Sequence, residues 1–242
     1  MALATEALGH DRLIGETLGH YCVHEKIGSG GMGVVYKAQD THLNRNVALK
    51  FLPNDIKRDS HALMRFQREA EAASALKHPN IIVIYDISRE AGYDFIAMEY
   101  VNGKTLGHMI PRNGISLNQL LNVAIQITDA MAAAHAAGII HRGLKPSNIM
   151  VDEHGLVKIL DFGLAKLVDR GIGEAEATAT ALTQTVDGAI VGTPAYFSPE
   201  QAEGKPLDAR SDTFSLGVMF YEMATGCRLA AQLRYMRSKR SI

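Results

Sequence analysis

The sequence predicts an α+β chain: a five-stranded antiparallel sheet carrying one helix, then a mainly helical half. Three observations lead there. Most of the short β-branched and aromatic runs lie before residue 102. One amphipathic stripe, over residues 60–76, interrupts them. After that point the long periodic segments, 116–137 and 209–225, are helical.

The bulk properties are those of an ordinary globular chain: 242 residues, 47% hydrophobic, 21% charged, enough for one sizeable core or two smaller ones. A formal net charge of -1 gives no bulk field for nucleic acid or a membrane surface. The two cysteines, Cys22 and Cys227, are far apart and read as reduced thiols. Apolar runs such as Ile81–Tyr85 and Ile190–Val191 are too short to span a bilayer, and Met1–Leu8 lacks the pattern of a signal peptide. The expected location is cytoplasmic.

Residues 1–17 carry no pattern and read as a lead-in. Tyr21–Ile27 alternates loosely as a strand, followed by Gly28-Ser29-Gly30-Gly31-Met32-Gly33-Val34-Val35 and the strand-like Tyr36–Ala38. A dinucleotide-binding unit needs a helix after such glycines. Here β-branched and aromatic residues follow, so the glycines sit at the tip of a hairpin, with or without a ligand. Val47–Leu52 is a strand with Lys50 on the face shared by Ala48 and Leu52. A lysine there either reaches solvent or needs an anionic partner, because an unpaired buried charge is costly.

The 60–76 helix places Leu63, Phe66, Ala70, Ala73 and Leu76 on one face, and Glu69 falls beside them. Ile81–Ile87 and Tyr93–Tyr100 read as strands joined by a turn at Arg89–Gly92, ending in Met98-Glu99-Tyr100-Val101-Asn102-Gly103. The 116–137 helix opens on a Ser116/Gln119 capping box and closes at Gly138. Its core stripe is expected at Leu117, Leu120, Leu121, Ala124, Ile127, Thr128 and Met131.

Then comes His141-Arg142-Gly143-Leu144-Lys145-Pro146-Ser147-Asn148. Two short strands follow, Asn148–Val151 and Leu156–Leu160, and then Asp161-Phe162-Gly163. Hairpin geometry brings Asn148 and Asp161 to the same end, an oxygen pair suited to Mg²⁺, which prefers a few protein oxygens plus phosphate.

In this order the motifs resemble a eukaryotic-like bacterial serine/threonine protein kinase. The glycine loop, Val47-Ala48-Leu49-Lys50, Glu69, Met98–Val101, His141–Asn148, Asp161-Phe162-Gly163, Gly192-Thr193-Pro194, Ser198-Pro199-Glu200 and Asp212 all match, over about residues 18–226. The resemblance implies a two-lobed kinase fold with an N-lobe at 18–101 and a C-lobe at 102–226. It implies ATP held by Ile27, Gly28, Ser29, Gly30, Gly31, Met32, Gly33, Val35, Ala48, Lys50, Met98, Glu99 and Val101, and Mg²⁺ held by Asn148 and Asp161. It further implies a Lys50–Glu69 bridge and Lys145 at the γ-phosphate. The activation segment at 164–197 would carry regulatory Thr183, Thr185 and Thr193, with Arg142 receiving a phosphate. The expected partners are ATP and a protein substrate or regulated protein, with a homodimer through the N-lobe.

The chain departs from the family twice. The kinase loop has Asp where this chain has Gly143. General-base help is typically worth about 10²–10⁴ in rate, so turnover should be crippled while the ATP and metal residues persist. Second, 227–242 is short and basic, with Arg228, Arg234, Arg237, Lys239 and Arg240, and matches no kinase element by eye. It is expected to be a solvated tail of a truncated C-lobe that leaves Glu200 without its usual arginine. Three readings remain: a severely weakened kinase, a nucleotide-binding pseudokinase acting as a scaffold or regulator, and a damaged fragment.

Overall fold

The computed structural model describes residues 13–30, 33–52, 70–71, 74–162 and 194–229. The chain forms two compact units, one of residues 1–75 with 82–100, the other of 76–81 with 101–242.

The first unit is an antiparallel sheet. Its strands are β1 (Thr17–Leu18), β2 (Tyr21–Gly30), β3 (Gly33–Asp40), β4 (Arg45–Phe51), β5 (Ile84–Glu90) and β6 (Tyr93–Glu99), in the spatial order β1-β2-β3-β4-β6-β5. The two-residue β1 is added at the edge of the five strands expected. Period-two alternation gives the sheet a dry face, where Tyr36, Val47, Leu49, Phe51, Phe95 and Ala97 pack with Leu18, Tyr21 and Val23. Tyr36, Tyr93 and Phe95 ring Phe51 at centroid distances of 5.4, 5.9 and 5.4 Å, the first two edge-on. Such pairs contribute about 0.5–1.5 kcal/mol beyond their buried area.

The turn between β3 and β4 is organised by Asp40, whose carboxylate accepts the N–H groups of His42 and Leu43, each at 3.1 Å. Burial pushes this carboxyl up, but those N–H groups and the Arg45 guanidinium outweigh it and hold it below the usual range.

The β5–β6 hairpin turns tightly at Ala91 and Gly92, with φ of 49° and 81°. Left-handed geometry at both central residues suits the twist of the strands but strains an alanine. Ala91→Gly is expected to stabilise the unit by about 0.5–1 kcal/mol, read as a raised urea midpoint.

β5 starts later than the periodicity suggests. Ile81 pairs instead with Ile159 in an isolated parallel bridge, and Ile159 N–H donates to Asn80 O at 2.8 Å, drawing residues 76–81 into the second unit. Of the expected 60–76 helix, Ala70, Glu71 and Ser74–Leu76 are described: Ala70, Glu71 and Ser74 are helical and Ala70 is buried, while Ala75 is in a turn and Leu76 lies past the helix end.

The second unit holds a small sheet, β7 (Gly103–Thr105), β8 (Ile149–Asp152) and β9 (Val157–Ile159), in the order β7-β8-β9. Its helices are α1 (Leu106–Met109), α2 (Leu117–Ala136), α3 (Pro199–Ala202) and α4 (Ala209–Thr225). Ser116 caps α2 by accepting Gln119 N–H, and Gly138, at φ 75°, follows its end.

The buried face of α2 differs from the expected stripe. Val123, Ile127, Ala130, Met131 and Ala134 are inside, while Leu117, Leu121 and Ile125 are 69%, 47% and 64% exposed and Thr128 is also outside. Both faces carry apolar residues at helical spacing. Small Ala130 and Ala134 permit a close approach that the leucine side does not.

The C-cap of α4 is Gly226, at φ 70°. A Cβ there would lie 2.3 Å from the backbone of Arg112, so only glycine fits. No helix among the described residues is long and apolar enough to cross a membrane, and Cys22 and Cys227 are free thiols.

Candidate active site

The loop from His141 to Asn148 enters a 3₁₀ turn, Pro146–Asn148, before β8. Two residues of the region adopt left-handed backbone without being glycine: Arg142 at φ 65° and Asp161 at φ 59°. Each such residue costs about 1–3 kcal/mol and persists only where its surroundings over-determine it.

At Arg142 the restraint comes from Asp212, in the first turn of α4 and 1% exposed. One carboxylate oxygen accepts Arg142 N–H at 2.8 Å; the other accepts His141 N–H at 2.8 Å and His135 Nε2–H at 2.9 Å. A buried carboxylate with that many donors is fully satisfied, and it clamps two consecutive peptide N–H groups of the loop.

The His141 ring is wholly buried. Its Nε2 lies 2.8 Å from Leu160 O, which can only accept, so Nε2 carries the proton. Nδ1 then accepts Gly143 N–H at 3.2 Å. Both ring nitrogens are used by the neutral form. Burial holds the ring's pKa below the ordinary histidine value, despite the opposing pull of Asp212.

A depressed folded-state pKa means that the unfolded chain takes up the proton first as pH falls. Stability is therefore expected to be lost below about pH 6.5, by up to about 1.4 kcal/mol per pH unit from this group. Urea unfolding at pH 7.5 and 5.5, compared with His141→Asn, checks it: the substitution should remove that part of the slope.

Gly143 does not adopt a left-handed φ. Its carbonyl accepts Asn148 Nδ2–H at 2.9 Å, and Leu160 N–H donates to Asn148 O at 2.9 Å, so the residue before Asp161 is tied to Asn148. The register Ile149↔Ile159 continues that pairing. With Nδ2 committed to Gly143, Oδ1 is the branch of Asn148 that can face a cation. Phe162 packs on the His141 ring, centroids 4.8 Å apart.

The segment after residue 193 is held by α4. Ser215 Oγ donates to Tyr196 O at 2.8 Å, Ser211 Oγ donates to Glu200 Oε1 at 2.6 Å, and the Tyr196 hydroxyl donates to Glu222. Residues 211, 215 and 222 share one helical face. Glu200 is half-buried and accepts the Ser211 hydroxyl, the main cause that lowers its pKa. Arg228, the first arginine of the basic stretch, lies 3.5 Å from Glu222 and joins the same network. The buried face of α4 includes the polar Ser211, Asp212 and Ser215.

In the first unit, β2 and β3 form the glycine-tipped hairpin, closed at Gly30↔Gly33, with irregular register between Lys26 and Gly28. Ile27 is 45% exposed. Gly28 pairs with Val35 and Ser29 with Val34. Lys50 is 5% exposed and stands opposite Val35 on one side and Ile96 on the other; Ala48 faces Met98. Lys50 thus shares the face opposite the aromatic core. The Glu99 N–H donates to Val83 O at 2.9 Å, so a base contact from the Glu99 backbone falls to its carbonyl. Val101 lies just past this unit, half-buried, and Lys145 is half-buried in the loop. Gly31, Met32, Glu69, Gly163, Thr183, Thr185, Thr193 and the stretch 230–242 lie outside the described residues.

Sequence reasoning took Asp212 only as a motif letter and passed over His135, Leu160 and Gln201. The bonds of His135 to Asp212, Leu160 to His141 and Gln201 to Arg142 join residues 77, 19 and 59 positions apart, and nothing in their immediate neighbours announces them.

Comparison with known proteins gives a consistent result. A family model described as the protein kinase domain matches residues 21–241, taking in most of the basic stretch. The chain is 44% identical over 216 residues to a probable serine/threonine-protein kinase of Clostridium acetobutylicum, covering 88% of this chain and 31% of that protein. It is 41% identical to the serine/threonine-protein kinase PrkC of Bacillus subtilis, covering 88% and 32%. Among solved structures it is similar to a double mutant of the Mycobacterium tuberculosis PknI kinase domain, at TM-score 0.70 and 26% identity, covering 88% of this chain and 78% of that one. The chain spans about a third of the length of these two curated relatives.

Proposed function

This chain belongs to the serine/threonine protein kinase domain family, and from that premise we propose that it binds ATP with Mg²⁺ and transfers phosphate to protein Ser/Thr only at a severely reduced rate. The observation that carries the reading is the loop around Gly143. Asn148 and the approach to Asp161 are locked together by backbone and amide hydrogen bonds, while the position of the family's base has no side chain.

The residues fit the group. Asn148 Oδ1 and Asp161 are hard oxygen donors of the kind Mg²⁺ takes together with phosphate oxygens. The left-handed backbone of Asp161 is the type of strain that functional sites retain. In the first unit, Lys50 offers a cation on a buried face beside Val35 and Ile96, on the strand next to the glycine hairpin. When bound, Mg²⁺ neutralises phosphate charge. The chain's own groups bind and orient, but none at position 143 can accept the acceptor's proton. Gly143 equally favours a second reading, a pseudokinase whose role is nucleotide-dependent binding of another protein.

Calorimetric titration tests both. The chain is expected to bind ATP with Mg²⁺, to bind it at least about tenfold more weakly after chelation of the metal, and to lose a similar factor with Asp161→Ala. Absence of ATP binding under all three conditions would sink both readings.

A further inference from the structure

The side chain of Gln201 is bonded at both ends. Its Oε1 accepts Ser198 N–H at 3.0 Å, inside the capping box of α3, and its Nε2 donates to Arg142 O at 2.6 Å. The partners fix the amide's orientation, because a peptide N–H can only donate and a carbonyl can only accept. The peptide between Arg142 and Gly143 is therefore held at both polar groups: its C=O by Gln201 and its N–H by His141 Nδ1. The preceding peptide is held through Arg142 N–H by Asp212. The plane of the 142–143 peptide sets the direction in which any side chain at residue 143 leaves the backbone.

We propose that Gln201 is a positioning residue of the catalytic loop, which fixes the 142–143 peptide from the α3 segment and so aims residue 143. The strain at Arg142 gives the bond its purpose: a left-handed non-glycine residue relaxes unless its neighbouring peptides are tied. The bond also links the segment 194–204 to the loop, so a change in one is felt in the other. The consequence for catalysis rests on the kinase reading; the positioning itself does not.

Gln201→Glu keeps the side chain's length and its acceptor for Ser198 N–H, but replaces the donor with a carboxylate oxygen that is repelled by Arg142 O. Gln201→Leu loses both. Amide hydrogen exchange, followed by NMR on the whole chain, is expected to quicken at Gly143 by about tenfold or more in both variants, while amides of α2 stay within about threefold. A general loss of stability would speed both regions together. If Gly143 quickens no more than α2 does in Gln201→Glu, the proposal is overturned.

In a Gly143→Asp background, Gln201→Glu is expected to lower kcat about tenfold with the KM for ATP within about twofold. An unchanged kcat there would also overturn it. If Gly143→Asp itself shows no phosphotransfer, the kinase reading fails, and the exchange data alone decide on Gln201.

Discussion

Gly143→Asp is expected to raise phosphotransfer to a protein acceptor by about 10²–10⁴-fold and to leave ATP affinity within about twofold of the unsubstituted chain. The gain corresponds to roughly 3–5 kcal/mol of barrier. The backbone is ready for it. Residue 143 has a φ open to any L-residue, and both its hydrogen bonds, N–H to His141 Nδ1 and C=O from Asn148 Nδ2, are made by main-chain atoms that the substitution keeps. The added carboxylate is then the one chemical change. Phosphoryl transfer depends mainly on positioning and charge stabilisation, so the unsubstituted chain should keep a trace of activity rather than none. Initial rates with labelled ATP, alongside calorimetry, separate the outcomes. Unchanged ATP binding with no gain in rate would mean that something other than the absent base limits turnover.

The second large effect lies at Asp212. Asp212→Ala is expected to lower the unfolding free energy by about 3–5 kcal/mol, because it strands two buried peptide N–H groups and the His135 ring. It also releases the restraint on Arg142, so the rate gained through Gly143→Asp should be lost in the double variant. Domains are commonly stable by only about 5–15 kcal/mol, so the alanine variant is expected to be partly unfolded at 37 °C. Asp212→Asn, which keeps one acceptor, should fall between. Urea unfolding followed by circular dichroism checks the order. A cost below about 1 kcal/mol for alanine would show that the clamp is not what holds the loop.

Much of the first unit was legible because its signals are local. The alternation in Val47–Phe51 assigns Lys50 to the face opposite Phe51, and the structure has it there, opposite Val35 and Ile96. The glycine cluster between two β-branched runs identified a hairpin rather than a strand-to-helix turn, and β2 and β3 form it. Strand ends were less legible: Ile81 was read into β5, yet its backbone pairs with Ile159.

The α2 face was misread because two apolar stripes compete on one helix. Periodicity scores them alike; only the packing partner distinguishes Val123 and Ala130 from Leu121 and Ile125. The Ser211–Glu200 hydrogen bond was not legible either, because it joins a residue of α3 to one on α4 eleven positions on.

The sequence by itself determined the family, the hairpins and the two long helices, α2 and α4. Each of these is written in residues a few positions apart, where propensity, period and motif spacing act. The tertiary structure alone decided how the loop is held: that Asp212 and Gln201 grip Arg142 at its two ends, and that His141 is neutral with its proton on Nε2. Those bonds join residues up to 70 positions apart. They are selected by which groups burial leaves in need of a partner, a requirement that arises only once the helices have packed.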